Sequence, residues 1–256
     1  MPSTELLDTV RQWITASARV VALTGAGIST DSGIPDFRGP QGVWTRNPGA
    51  EKQATIQNYL ADPQVRQAAW RARLEHSAWS AKPNAGHLAL VDLERRDRLH
   101  ALITQNVDEL HQIAGNSPQK VIEVHGTLRR AMCWQCGARI PMEEALARVR
   151  AGEPDPSCRR CGGILKSDTI SFGQNLVPEV IDRAMRVAGE ADVMLAIGTT
   201  LQVYPVAGAV PLAKRAGARV VILNADPTPL DDIADALLRG PISEILPAIC
   251  AAPARG

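Results

Sequence analysis

The chain has 256 residues, 45% of them hydrophobic, which suffices for one large domain with a small one appended. Its 28 Lys and Arg balance 27 Asp and Glu at a formal charge of +1, so no strong field draws it to nucleic acid or an anionic membrane; its partners must be recognised by shape and specific contacts. No apolar run approaches the roughly 18 residues that a membrane span needs.

The first element, "MPSTELLDTVRQWITAS", places Leu6, Leu7, Val10, Trp13 and Ile14 at helical spacing with charges on the other face. It lacks the basic start and continuous apolar core of a signal peptide. Five runs rich in Val, Ile and Leu follow: "RVVALTGAG" (19–27), "HALITQNVD" (100–108), "KVIEVHGT" (120–127), "DVMLAIGTT" (192–200) and "RVVILNAD" (219–226). Continuous runs of this kind suit strands covered on both faces of a parallel sheet. Helical patterns at 87–96, 177–189 and 206–217 lie between them, so the fold class is α/β with helices on both faces of the sheet. Residues 1–39, 85–127 and 171–256 make up this domain. Residues 40–84 read as a helical insertion over the open end of the sheet, and 128–170 as a second insertion carrying cysteines. The "AAPARG" end reads as frayed.

Polar residues gather where the strands stop, at 25–29, 105–108, 198–200 and 224–226, together with His125. Open α/β sheets bind ligands at the carboxyl ends of their strands, so these groups converge on one crevice.

In "TGAGISTDSGIPDFRG" (24–39), Gly25 and Gly27 let backbone N–H groups approach a diphosphate. An ordinary strand-to-helix turn needing glycine explains them equally well. A dinucleotide fingerprint wants a third glycine where Thr30 stands, and an acidic residue about 20 positions on, which is missing. Pro35, Asp36, Phe37 and Arg38 turn the next stretch into a loop above the crevice, in which Arg38 can grip phosphate and Phe37 can screen a reactive carbon from water. His125 ends the "KVIEV" run, and an imidazole there is able to titrate near neutrality; alone it is more often structural than catalytic. "TQNVDELHQIAG" can be a helix start capped by Asp108 or Asn106 and closed at Gly115, although capping does not require Gln105, Asn106 and Asp108 together.

Cys133-x-x-Cys136 and Cys158-x-x-Cys161, 21 residues apart, form a tetrathiolate zinc signal with no position left for water, so the zinc is structural. The pattern points to metal ligation in a reducing, cytoplasmic setting rather than to disulfides. Cys250 reads as a buried apolar residue of the last helix. A zinc-ribbon interaction module without catalysis would explain the cysteines but leave the strand-end clusters unused.

Taken in order, "GAGISTDSGIPDFRG", "TQNVDELH", "EVHGT", the two cysteine pairs, "GTTLQVYP" and "NADPTP" resemble the sirtuins, the NAD-dependent protein lysine deacylases, and the similarity runs from about Arg19 to Ile249. The resemblance implies a Rossmann-like domain, a small zinc-ribbon domain, and a cleft between them for NAD and acyl-lysine proteins or peptides. It implies deacetylation: the acyl group moves to ADP-ribose, nicotinamide leaves, and His125 is the general base drawing a proton from a ribose hydroxyl.

By the same resemblance Asn106 orients a water and the ribose, Gln105 contacts ribose, and Asp108 with the backbone at Val107 holds the nicotinamide carboxamide. Gly25, Ala26, Gly27, Ser29, Asp36, Phe37 and Arg38 line the cofactor. Gly198, Thr199 and Thr200 meet a phosphate or ribose, Asn224, Ala225 and Asp226 the adenosine ribose, and the Ile242 backbone the adenine. Phe172 and Gly173 in "TISFGQ" pair with the peptide as a strand, and Val203 lines its path; a plain edge strand is the alternative for "SFGQ". The family often has Pro where Ser167 stands and an acid where Gln174 stands.

Members that remove succinyl or malonyl groups carry a Tyr-x-x-Arg pair in the acyl pocket. Here Trp70 and Arg73 take those places. Trp70 has no phenolic O–H to donate, which favours acetyl; the alternative is a helix surface on which Arg66, Arg71 and Arg73 face water. Mono-ADP-ribosyl transfer and a plain nicotinamide dehydrogenase are the other enzymatic readings. A monomer is favoured.

Overall fold

The computed structural model describes residues 2–36, 39, 42, 45 and 55–252. Phe37 and Arg38, two of the predicted cofactor contacts, lie outside the described residues, as does the tail from 253 on. The helices are α1 (Thr4–Ala16), α2 (Ile56–Ala61), α3 (Pro63–Leu74), α4 (Ala85–Arg95), α5 (Leu110–Ala114), α6 (Met142–Arg150), α7 (Pro178–Gly189), α8 (Ala209–Arg215) and α9 (Ile242–Cys250). The strands are β1 (Val20–Thr24), β2 (Leu99–Thr104), β3 (Val121–Glu123), β4 (Gly126–Cys133), β5 (Arg139–Pro141), β6 (Leu165–Thr169), β7 (Val193–Ile197), β8 (Arg219–Leu223) and β9 (Ala236–Leu238).

Six strands form one parallel sheet in the order β3-β2-β1-β7-β8-β9. The five apolar runs are five of these strands; β9, only three residues long, extends the sheet past β8. Every residue of β1 and of β7 is buried, as expected for central strands covered on both sides. Alternate residues of each strand feed two cores. Val20, Leu102 and Leu195 join Val10 and Ile14 of α1, Leu90 and Leu93 of α4 and Leu246 of α9 on one face. Val21, Ile103 and Met194 join Ala184 of α7 and Val210 of α8 on the other. Cys250 is buried in the first of these cores, as read from the sequence.

Order in the sheet reverses between β1 and β7, and a crevice opens at such a switch point. The second sheet is antiparallel, in the order β5-β4-β6. Its core is Ala131, Cys133, Met142, Ala145, Leu146, Val149, Cys158 and Leu165, closed by Trp70 from α3. The described part of the helical insertion therefore packs into the ribbon, and Thr55 bridges in parallel to Phe172.

Candidate active site at the strand ends

The glycines of the first loop meet the end of β7 at contact distance. A Cβ on Gly25 would stand 2.7 Å from the Gly198 carbonyl oxygen, one on Gly27 would stand 2.7 Å from the Gly198 Cα, and one on Gly198 would stand 2.5 Å from the Ile28 nitrogen. Gly198 is also left-handed, at φ +59°. The N–H of Gly25 donates to the Ile197 carbonyl and that of Gly27 to Gly198. These two N–H groups are thus engaged inside the protein; the glycines are needed so that two loops can interlock at the switch point. Residues 26–32 form a 3-10 turn in place of a full helix.

Above this floor the β2 loop is tied to both neighbours. Gln105 Nε2 donates to Thr199 Oγ1 (2.9 Å). Asn106 Nδ2 donates to the Gly25 carbonyl and to Ser29 Oγ, both at 3.1 Å, which leaves Oδ1, an acceptor, for the crevice. Ser29 Oγ donates to Asp108 Oδ2 (2.8 Å), while Asp108 Oδ1 accepts the Leu110 N–H at the start of α5. The helix-start reading of Asp108 and the site reading therefore use one oxygen each. Burial pushes the Asp108 carboxyl upward, and its hydrogen bonds to Leu110 and Ser29 oppose this. Val107 accepts the Leu128 N–H, fastening this loop to the ribbon.

His125 stands at the crossing between the two sheets, after β3 and before β4. Its carbonyl accepts the Ile170 N–H at 2.8 Å. At Gly126 the chain turns with φ +73°, where a Cβ would sit 2.0 Å from the Asp168 carbonyl oxygen, so only glycine passes β6 here. His125 Nδ1 lies 3.0 Å from the Gln105 carbonyl oxygen. A carbonyl only accepts, so Nδ1 carries the proton and Nε2 keeps its lone pair. Burial lowers the imidazole pKa below its usual 6.5, with the Gln105 bond opposing, so the ring is neutral at neutral pH.

The remaining predicted residues are placed as follows. Thr200 and Val203 are half-buried beyond β7, with Ala26 in the 3-10 turn. Asn224 is nearly buried at the end of β8 and turns its Nδ2 onto the Asp226 carbonyl, while Ala225 and Asp226 are exposed. Ile242 buries its side chain against Gly86 in the first core. Asp36 Oδ1 accepts the Gly39 N–H at 3.1 Å. Phe172 is exposed, Gly173 has φ +76°, and the Ile56 N–H donates to the Phe172 carbonyl at 2.9 Å, so one edge of this segment is already paired.

The four sulfur atoms of Cys133, Cys136, Cys158 and Cys161 lie within 4.8 Å of one another, with Cys133–Cys161 at 3.5 Å and Cys136–Cys158 at 3.7 Å. Tetrahedral zinc–sulfur bonds of ~2.3 Å require sulfurs just under ~4 Å apart, so the donor set and its spacing fit one zinc ion.

Trp70 is fully buried in the ribbon core. Arg73 places its guanidinium 5.2 Å from the Trp70 ring and 5.9 Å from that of Tyr59, and Nη2 donates to Ser167 Oγ at 2.9 Å. Arg66 pairs with Asp155 at 2.7 Å; of the three arginines, only Arg71 fits the helix-surface alternative. Trp70 Nε1 and Arg73 Nε and Nη1 are buried without a partner among the described residues. Trp70 thus has a donor after all, on its indole.

Sequence reading passed over Tyr59, whose hydroxyl is committed to the Leu165 carbonyl (2.7 Å), and Lys166, fully buried on β6. Burial and the neighbouring Arg73 bring the Lys166 pKa down to about 8. It also passed over Thr24, Thr104, Asn84, His87 and His111, which lie beneath the loops; the polar "PNAGH" ahead of an apolar helix was the available signal.

A model of the Sir2 family matches residues 25–205. NAD-dependent protein deacetylase 2 of Streptomyces coelicolor is 50% identical over 236 residues, covering 92% of this chain and 98% of the relative. NAD-dependent protein deacetylase 1 of Pyrobaculum aerophilum is 46% identical over 248 residues, covering 96% and 94%. A solved Sir2–p53 peptide–NAD+ structure aligns with a TM-score of 0.82 at 34% identity, covering 96% of each chain.

Proposed function

We infer that this chain, which belongs to the Sir2 family, is an NAD-dependent protein lysine deacetylase whose general base is His125. The observation that carries the base assignment is the 3.0 Å contact from Nδ1 to the Gln105 carbonyl, which leaves a neutral Nε2 at the domain crossing. Bound NAD supplies the leaving nicotinamide and the ribose hydroxyl that receives the acyl group. His125 takes the proton from that hydroxyl. A base placed this way is worth roughly 10²–10⁴ in rate.

Asn106, with both amide hydrogens spent on Gly25 and Ser29, acts only as an acceptor, which suits orienting a water or a ribose hydroxyl. Asp108, steadied by Ser29, accepts from the nicotinamide carboxamide beside the Val107 backbone, and Gln105 contacts ribose. Thr199, Thr200 and the loop of Gly25, Ala26 and Gly27, whose lack of bulk admits a close approach, face the phosphates, with Asp36, Phe37 and Arg38. Asn224, Ala225, Asp226 and the backbone of Ile242 hold the adenosine end. The acyl-lysine peptide adds as a strand alongside Phe172 and Gly173, past Val203. Residues 128–170 hold one zinc ion through the four cysteines, as a brace outside the chemistry. Thiolate ligands suit the cytoplasm, and near-zero charge suits a monomer acting on proteins instead of nucleic acid.

A second reading of the acyl pocket is favoured by the buried N–H groups of Arg73 and Trp70 that lack partners among the described residues. A carboxylate on the acyl chain would satisfy them, as in removal of succinyl or malonyl groups. Incubation with NAD and acetyl- or succinyl-lysine peptides, followed by mass spectrometry, tests both readings. Nicotinamide and acyl-ADP-ribose should appear together, with the acetyl peptide consumed faster. Nicotinamide release without acyl transfer would point to ADP-ribosylation and refute deacetylation.

A further inference from the structure

Residues 127–129, at the start of β4, are fastened to two loops that carry different parts of the proposed site. Toward the loop of Asp108, the Leu128 N–H donates to the Val107 carbonyl at 2.8 Å. Thr127, 0% exposed, donates from Oγ1 to Glu109 Oε1 at 2.6 Å. Glu109 stands at φ +61°, a left-handed conformation unfavourable for a residue with a Cβ, so the turn from Asp108 into α5 keeps its shape through such partners. The same Thr127 Oγ1 accepts the Arg129 N–H at 3.1 Å.

The side chain of Arg129 reaches the other loop, which follows α3. Its guanidinium lies 5.1 Å from the centre of the Trp79 ring, and Nη2 donates to the Ala78 carbonyl at 3.3 Å. Trp79 Nε1 in turn donates to the Arg73 carbonyl, which ties this loop to the last turn of α3, the helix that supplies Trp70 and Arg73 to the proposed acyl pocket. Every link is a formed contact, and the path runs from Arg73 through Trp79, Arg129 and Thr127 to Glu109, next to Asp108.

We propose that Arg129 is a positioning residue that clamps the acyl-pocket loop to the nicotinamide loop. The clamp also brings a fixed positive charge to Asp108. Burial pushes that carboxyl up, and the bonds from Leu110 and Ser29 oppose it together with the charge of Arg129. The other titratable groups facing Asp108 are His76 of the Ala78 loop, Glu109, and Glu123 at the end of β3. Burial and the charge of Arg73 lower His76, so it is uncharged at neutral pH, and the two glutamates bring no positive charge. Without Arg129 only hydrogen bonds would oppose burial. The consequence for NAD rests on the assignment of Asp108 to the nicotinamide carboxamide; the clamp does not.

The test compares Arg129→Met, which loses the charge and the donor, with Arg129→Lys, which keeps both, in the full chain. Hydrogen exchange reads the clamp without turnover. In the methionine variant the Ala78, Trp79 and Leu110 amides should exchange about tenfold faster, with β1 and β7 unchanged, and lysine should restore most of the protection. Thr127→Val, which leaves the Arg129 side chain in place, should speed Leu110 alone. Calorimetry with NAD reads the consequence. The methionine variant should bind NAD about tenfold more weakly at pH 7, the scale of one lost buried hydrogen bond. As pH falls it should lose affinity at a higher pH than the unmodified protein, because Asp108 protonates earlier; lysine should keep the original midpoint. Faster exchange confined to Ala78 and Trp79, or equal effects of methionine and lysine, would mean that Arg129 is only packing. Failure of the unmodified protein to bind NAD would refute the crevice assignment, and the exchange pattern alone would then decide the clamp.

Discussion

Among the described residues the parallel sheet buries twenty-three side chains on one face and twenty on the other, whereas the ribbon gathers nine, two of them from the four-cysteine cluster. The sheet's strands pair in unbroken parallel registers over five residues at β1–β7 and β7–β8. The ribbon's β5 has three residues, and β4 slips in register against β6. At roughly 25 cal/mol per Å² of apolar area, the first region can hold itself together, and the second is too small to do so without a crosslink. What joins them is a pair of chain crossings, with His125 on one and Ile170 on the other. Chemistry at that junction requires both regions to be folded, although each is stabilised differently.

The most severe way to break the comparison is to remove the metal. Zinc contributes on the order of 10–16 kcal/mol to folding of isolated modules. Cys133→Ser, or chelation, should therefore melt the ribbon and abolish deacetylation, while sheet amides in β1 and β7 stay protected in hydrogen exchange. A zinc-free protein that remains fully folded and active would show that the ribbon core suffices alone.

The next test attacks the junction and spares both regions. His125→Ala should lower deacetylation about 10²- to 10⁴-fold with thermal stability and NAD binding intact. Retention of more than a tenth of the activity would remove His125 as the base. The working form is the neutral ring, and burial lowers its pKa, so the free enzyme keeps its base as pH falls to 6.5 and loses it only below that. An acid limb of kcat/KM above pH 6.5 would contradict this.

The same contrast governs what the sequence made legible. Five strands and the helices between them were plain, because burial on both faces writes itself as unbroken Val, Ile and Leu. Strand β9 was missed: Ala236–Leu238 are three residues among aspartates, and only pairing with β8 makes them a strand. The cysteine spacing picked out four residues whose sulfurs the fold does gather within 4.8 Å of one another. Site residues were legible as types at strand ends, but not as partners. Nothing local says that Asn106 spends its amide on Gly25 and Ser29, or that the N–H groups of Gly25 and Gly27 are taken up by Ile197 and Gly198. His87 and His111 look like helix filler until tertiary folding stacks them. Trp70 was read as lining a pocket; that it is also the largest side chain in the ribbon core is set by tertiary packing and not by anything local.

That placement gives a third, smaller effect. Truncating a buried aromatic costs about 3–5 kcal/mol. Trp70→Ala should destabilise the ribbon by that amount, read as faster exchange of β4 and β6 amides, with β7 and β8 unaffected. Equal loss of protection in both sheets would mean that the regions unfold as one unit and that the comparison is wrong.

The finest distinction concerns charge. The described interior beside Trp70 holds two cations, Arg73 and the fully buried Lys166, whereas no Lys or Arg is among the described buried residues of the parallel-sheet domain. Lys166 is satisfied by the carbonyls of Ser167 and Thr169, but Arg73 gives only Nη2 to Ser167, leaving Nε and Nη1 open. A carboxylate entering an apolar pocket must be paired, and a charged hydrogen bond is worth about 1.5–3 kcal/mol. Arg73→Met should thus cut kcat/KM for a succinyl-lysine peptide by roughly 10- to 150-fold while sparing the acetyl peptide, which brings no charge to pair. In the unmodified protein acetyl-lysine should still lead, because Ser167 already occupies one edge of the guanidinium and no phenol stands at position 70. If succinyl-lysine leads instead, the Trp70 Nε1–H is serving as the second donor, and Trp70→Phe should then abolish the preference that Arg73→Met only weakens.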